Sequence, residues 1–142
     1  MKPKKTSSYV LDTSAILAFT EGEPGVEVVR NILRKTESGK ARTFVSFMTF
    51  MEAFYRIWQL KGKESAKEIF VLLAALPMRR VDVDDDLIRL SGEIKALYRL
   101  SLADAWIIAT ALKEEALLVH KDPEFEQVKG RADLFALPYK HG

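Results

Sequence analysis

Residues 9–17 have the sequence YVLDTSAIL. The apolar run before Asp12 predicts a short buried strand, and the residues after it predict a short helix over 14–20. Asp12 lies at the junction between the two. An acid in this place either caps the following helix or belongs to a ligand site, because an uncompensated charge near a core costs free energy.

The rest of the chain alternates between strand and helix patterns. Further strands are predicted for ARTFVS, MRRVDV, ALLVH and a short part of ADLFALPY, and helices for residues 26–38, 48–60, 63–76, 84–100 and 101–112. Strands separated by helices are typical of an α/β layer with a mostly parallel sheet. The helices between the strands are long enough to serve as crossovers.

Length and composition limit the class of protein. The chain has 142 residues, of which 48% are hydrophobic and 30% are charged, with a net charge of +2. The length indicates one domain, which we place over residues 9–142, and the basic start of the sequence indicates a flexible tail over residues 1–8. There is no cysteine, which excludes disulfides and thiolate metal sites. No run of ~18 apolar residues and no secretory leader are apparent, so we expect a cytoplasmic protein without a membrane segment.

Four acids lie in, or directly after, apolar segments, and each has a local explanation. Asp12 and Asp104 suit helix starts, the latter with Ser101 at capping-box spacing. Glu52 has Arg56 one helical turn later, and Asp122 precedes Pro123 in a turn-forming pair. Taken singly, none of the four acids indicates a site.

Taken together, these acids predict a metal site. Asp12 and Asp122 both follow predicted strands of one parallel sheet, and ligand sites in such sheets lie beyond the carboxyl ends of the strands. Asp104 starts the helix before the fourth strand, and the helix that carries Glu52 could line the same cleft. Four converging carboxylates repel one another unless cations bind or protons are taken up. Oxygen ligation of this kind favours Mg²⁺ or Mn²⁺ over Zn²⁺.

A second acidic run, from Asp82 to Asp86, is a weaker candidate for a metal site. Its place after a predicted strand and before a helix indicates a capped helix start instead. Acids in a first helical turn are favoured by the helix dipole. We therefore expect this run to be structural.

The order and spacing of YVLDTSAIL, SFMTFMEAFY, LADAWIIATAL and LLVHKDPEF resemble the PIN domain family, specifically its VapC-type toxin ribonucleases. The resemblance implies a five-stranded parallel sheet in the order 3-2-1-4-5, with helices on both faces. It also implies that the catalytic and metal-binding acids are Asp12, Glu52, Asp104 and Asp122. Thr13 and Ser14 match the small polar residues that support the carboxylates in the family. His120 departs from the family, in which many members carry a hydroxyl residue two positions before the last acid.

The resemblance implies a ribonuclease that uses one or two Mg²⁺ or Mn²⁺ ions to hydrolyse RNA phosphodiester bonds. Its expected partners are RNA, with transfer RNA favoured, a VapB-type antitoxin, and a second copy of the chain in a homodimer. Lys121 is a candidate phosphate contact because it adjoins Asp122. The alternative is a PIN-like module that binds RNA or protein without cutting. A haloacid-type phosphatase would need a second Asp two residues after Asp12, where Ser14 stands.

Overall fold

The computed structural model describes residues 7–139, and residues 1–6 and 140–142 lie outside the described part. The predicted tail was assigned residues 1–8, and all but its last two residues therefore lie outside the described residues. Those two, Ser7 and Ser8, belong to the first strand instead, because they pair with Ala41 and Arg42 of the second strand. The register of the sheet extends the strand beyond its apolar part.

Helices and strands alternate through the described residues much as predicted. In chain order they are β1 (Ser7–Leu11), α1 (Thr13–Thr20), α2 (Val26–Glu37), β2 (Ala41–Ser46), α3 (Phe47–Lys61), α4 (Lys63–Ala75), β3 (Arg79–Val81), α5 (Asp85–Leu97), α6 (Leu102–Lys113), β4 (Leu117–His120), a 3₁₀ helix (Pro123–Val128) and β5 (Leu134–Ala136). No helix within residues 7–139 is long and apolar enough to cross a bilayer.

The strands form one parallel sheet in the order β3-β2-β1-β4-β5, which confirms the predicted order. β1 is central, with β2 on one side and β4 on the other. The chain leaves β1 towards one edge and later returns to its other side, so the strand order reverses between β1 and β4. In such sheets the loops diverge at this point and leave a crevice.

Successive strand residues face opposite sides of the sheet and build two cores. Val10, Phe44 and Leu118 pack with residues of α5 and α6. Their chain neighbours Leu11, Val45 and Val119 pack with residues of α1 to α4. Because both faces are covered, the central strands are mostly apolar, and Thr43 is a buried polar exception within β2.

Two local features differ from the pattern predicted from the sequence. β3 ends at Val81, two residues earlier than MRRVDV suggests, and Asp84 caps α5 by accepting from the Leu87 N–H at 2.8 Å. Asp84 also pairs with Lys113, so the acidic run is a capped helix start, as expected. After β4 the chain forms the 3₁₀ helix, which hydrophobic periodicity did not predict. Proline at its first position favours such a start.

Candidate active site

Asp12 follows β1 at the crevice and is buried, with 3% of its surface exposed. Its backbone N–H continues the sheet by donating to the Val119 carbonyl at 3.1 Å. Its carboxylate caps α1 by accepting from the Ala15 N–H at 2.7 Å. The capping interpretation is therefore correct, and the cap also fixes the carboxylate at the end of the central strand.

Ser14 joins the ends of the two central strands. Its hydroxyl donates to the Asp12 carboxylate at 2.7–2.8 Å and accepts from the Lys121 backbone N–H at 2.9 Å. Thr13 makes a different contact, since its hydroxyl donates to the buried Thr49 hydroxyl at 3.2 Å. Ser14 thus contacts the acid directly, whereas Thr13 fixes α1 against α3, the helix that carries Glu52.

Asp122 lies two residues beyond β4. One of its carboxylate oxygens accepts from the Glu124 N–H at 2.9 Å, as expected for a turn-forming Asp. Its own N–H donates to His120 Nδ1 at 3.3 Å. His120 is buried against Phe125, at 5.1 Å between ring centroids, and burial lowers the pKa of its imidazole. The neutral ring therefore supplies the acceptor that a hydroxyl residue would supply.

Asp104 and Glu52 reach the site from helices on opposite sides of the sheet. Asp104 is half-buried in the first turn of α6, where its N–H donates to the capping Ser101 hydroxyl at 3.1 Å. Glu52 is half-buried in α3. No ion pair joins it to Arg56 among the described residues, so the predicted local pair does not explain its position.

Electrostatic effects show that the predicted acids are neighbours. The pKa of the Asp12 carboxyl is raised to about 7, chiefly by burial; the charges of Asp104 and Asp122 also raise it, and the hydrogen bonds from Ser14 and Ala15 oppose the rise. Burial also raises the pKa of Asp104 to about 6, with the charges of Asp122, Glu52 and Glu124 acting in the same direction. Asp12, Asp104 and Asp122 therefore lie within electrostatic range of one another, and Glu52 lies within range of Asp104.

Glu124 is an acid of this cluster that the sequence interpretation missed. Its charge acts on Asp104, and its carboxylate accepts from Gln127 at 3.2 Å. The available signal was its position two residues after Asp122, within the same turn. The sequence predicted only a turn at Asp122 and Pro123, so nothing indicated where the Glu124 side chain would lie.

The donors at this site are carboxylate oxygens, which suit Mg²⁺ or Mn²⁺. Within residues 7–139, no three His, Asp or Glu side chains are already close enough together to form a metal-binding cluster. The raised pKa of Asp12 nevertheless fits a cation site, since a nearby positive charge is what would allow these acids to ionise together. Asp12, Asp104, Asp122 and Glu52 are the residues that would hold the ion.

A cleft of about 490 Å³ adjoins the acids. Ser14 and Asp122 belong to its lining, and the other lining residues are Leu17, Glu21, Glu23, Arg56, Ile57, Leu60, Lys61, Lys121, Pro123 and Tyr139. The Lys121 side chain is only 3% exposed, with Nζ donating to the Pro24 carbonyl at 2.9 Å and lying 3.9 Å from Glu23. This burial argues against Lys121 as the predicted phosphate contact and indicates that Lys121 instead holds the segment around Pro24 against the end of β4.

With the geometry established, comparison with known proteins assigns the fold to a family. A family model described as PIN domain matches residues 9–131. The chain belongs to the PIN domain family. A search of curated proteins finds no significant match. The match extends over both strands and both helices that carry the four acids.

Solved structures of similar fold are PIN domains from toxin–antitoxin systems. The VapBC2 complex of Rickettsia felis, bound to a promoter DNA fragment, matches with a TM-score of 0.74 and 17% identity over 92% of this chain and 99% of that one. The DNA-bound VapBC of Salmonella typhimurium matches with a TM-score of 0.74 and 18% identity over 92% of this chain and 98% of that one. VapC20 of Mycobacterium tuberculosis, described as a sarcin–ricin loop cleaving toxin, matches with a TM-score of 0.67 and 17% identity over 85% of this chain and 95% of that one. At these identities the likeness shows the fold.

Proposed function

We propose that this PIN domain is a divalent-metal-dependent endoribonuclease and the toxin of a type II toxin–antitoxin pair. The observation that carries the proposal is the convergence of Asp12, Glu52, Asp104 and Asp122, from four separate elements, at the crevice beside the central strand. Asp12 and Asp122 also accept local backbone N–H groups, but burial and mutual repulsion raise the free energy of the ionised acids, so local capping does not account for the set as a whole.

The residues have separate tasks in this proposal. Asp12, Asp104 and Asp122 would hold the metal, with Glu52 completing the set from α3. When bound, Mg²⁺ or Mn²⁺ supplies positive charge that activates a water and stabilises the leaving oxygen of the phosphodiester. Ser14 holds the Asp12 carboxylate in place, and His120 holds the Asp122 backbone. These contacts would limit how far the Asp12 carboxylate and the Asp122 backbone move when a metal draws the acids together.

The test is cleavage of total transfer RNA by the purified chain in Mg²⁺ or Mn²⁺. EDTA should abolish cleavage, Mn²⁺ should restore it, and Asp104→Asn should lower the rate at least about 100-fold. Asp133→Asn is a matched control with the same change of charge, because Asp133 is exposed and contributes nothing to the cleft lining. Cleavage that survives both EDTA and Asp104→Asn would contradict the proposal.

A VapB-type antitoxin and a homodimer are part of the same proposal. The neighbours from Rickettsia felis and Salmonella typhimurium are VapBC complexes, which supports the antitoxin partner. In this chain α3 and α4 expose large apolar side chains that a partner could cover: Met51, Tyr55, Trp58, Leu60, Phe70, Val71 and Leu72. Light scattering of the purified protein should give twice the chain mass, and the chain mass at micromolar concentration would contradict the homodimer.

A non-catalytic PIN-like module is the second candidate. It is favoured by the finding that no three acids within residues 7–139 already form a metal-binding cluster. The two candidates differ in a calorimetric Mn²⁺ titration run beside the cleavage assay. The nuclease is supported if the wild type cleaves RNA and binds Mn²⁺, and if Asp12→Asn abolishes the Mn²⁺ binding. The non-catalytic module is supported if the protein binds RNA but neither binds Mn²⁺ nor cleaves RNA.

A further inference from the structure

The cleft beside the acids has positively charged residues in its lining, and their partners separate them into two groups. Lys61 pairs with Glu21 at 2.6 Å. Lys121 is buried and donates to the Pro24 carbonyl. These two cations are occupied by the protein itself, so neither is available to a ligand without breaking an existing contact.

Arg56 is the remaining cation of the cleft lining. Its side chain is exposed and makes no hydrogen bond or ion pair with any residue in the described range 7–139. It lies four residues after Glu52 on α3, which places it about 6 Å further along the helix on the same face. Within residues 7–139, an unpaired guanidinium therefore lies one helical turn from Glu52 and lines the cleft.

The chemistry of the cleft fits a nucleotide. Its volume of about 490 Å³ falls within the range of small-molecule sites. Leu17, Ile57 and Leu60 provide an apolar surface, and Tyr139 provides an aromatic ring. Phosphate recognition uses a guanidinium because its donors form a planar fork that matches two phosphate oxygens. A negatively charged substrate also needs a cation near a cluster of carboxylates.

We propose that Arg56 binds the phosphate of the nucleotide next to the scissile bond, and that this cleft holds that nucleotide of a single-stranded RNA substrate. The inference rests on the proposed ribonuclease function and assigns a substrate-binding residue to it. Arg56 acts in binding and takes no part in bond cleavage. Its loss should therefore weaken RNA affinity without changing the protonation of the acids.

The experiment measures the affinity for a fluorescein-labelled oligouridylate in Mg²⁺ from about 50 to about 200 mM salt. Asp104→Asn is the background, so that the RNA is not cut. Arg56→Ala is compared in that background with Arg56→Lys and with the control Arg34→Ala. The Arg34 side chain is also exposed and makes no hydrogen bond or ion pair in the described part of the chain, but α2, which carries it, contributes nothing to the cleft lining.

One lost phosphate contact lowers the slope of log affinity against log salt by about 0.7 for a single strand. This corresponds to an affinity about fourfold weaker at ~0.15 M salt. Arg56→Ala should show this change, whereas Arg56→Lys should keep most of the slope and Arg34→Ala should match the parent. Because Arg56 is exposed, its replacement should leave the melting temperature nearly unchanged.

The outcomes separate the two proposals. If the wild type cleaves RNA but Arg56→Ala keeps the salt slope of the parent, as Arg34→Ala is expected to do, the assignment of Arg56 is wrong and the ribonuclease proposal stands. A slope lost equally in both variants would indicate general electrostatic attraction, which also overturns the assignment. If the folded wild type neither binds nor cleaves RNA, both proposals fail.

Discussion

Replacing Asp12 by Asn should stabilise the metal-free protein at neutral and alkaline pH. Asp12 is buried, and its pKa in the folded protein is about 7 against an ordinary value of 3.8. Between these values the folded state binds more protons than the unfolded chain. The free energy of unfolding therefore falls as the pH rises from about 4 through 7. The ionised Asp12 carboxylate thus lowers the stability of the fold that contains it.

The size of the effect follows from the shift of the pKa. A change from 3.8 to about 7 corresponds to about 4 kcal/mol of stability lost above pH 7, when the carboxyl is ionised in both states. Asn is close to the protonated acid in shape and can keep the hydrogen bond from the Ala15 N–H. Asp12→Asn should therefore raise the melting temperature on the order of 10 °C at about pH 8.

The assay is thermal unfolding in EDTA at several pH values, with Asp133→Asn as the control because Asp133 is exposed. The advantage of Asp12→Asn should shrink to less than half at about pH 5, where Asp12 is already protonated in the folded state. Under the metal-site proposal, Mn²⁺ should stabilise the wild type and leave Asp12→Asn unchanged. Equal melting temperatures of wild type and Asp12→Asn at about pH 8 would refute the reasoning.

Three further substitutions test the contacts around the site. Lys121→Met should lower the free energy of unfolding in urea by about 1–3 kcal/mol, because the Pro24 carbonyl loses its donor; an altered salt slope of RNA binding would instead support a phosphate contact. Ser101→Ala should cost about 1 kcal/mol in the same measurement through loss of the α6 cap, and no change would contradict that cap. Ser14→Ala should raise the Asp12 pKa, since the Ser14 hydrogen bond lowers it, and a pH–stability midpoint that does not rise would contradict this role.

Much of the fold followed from local patterns in the sequence. ARTFVS forms β2 with the predicted bounds, because β-branched and aromatic residues suit a strand buried on both faces. The sheet order was implied by the family resemblance and is the one observed. The boundary at Ser7 was missed, because hydrogen bonds to a neighbouring strand extend β1 through polar residues that carry no apolar signal.

The side-chain environments were less predictable. Lys121 adjoins Asp122 in sequence, yet its side chain turns into the protein to reach the Pro24 carbonyl. Glu52 and Arg56 have the spacing of a helical ion pair, yet they do not form one within the described residues. In both cases the outcome depends on which atoms a distant segment brings near, and sequence spacing does not record this.

The amino-acid sequence by itself determined which segments become strands and helices. It also determined that the acids either follow strand ends or lie on flanking helices. Those properties are local, since they depend on neighbours a few residues away. Only the tertiary structure decided that Asp12 is buried, that Ser14 connects it to the end of β4, and that Arg56 lines the cleft without an ion pair to any residue from 7 to 139. Burial and charge interactions arise between segments up to about a hundred residues apart, and they exist only once the sheet has brought those segments together.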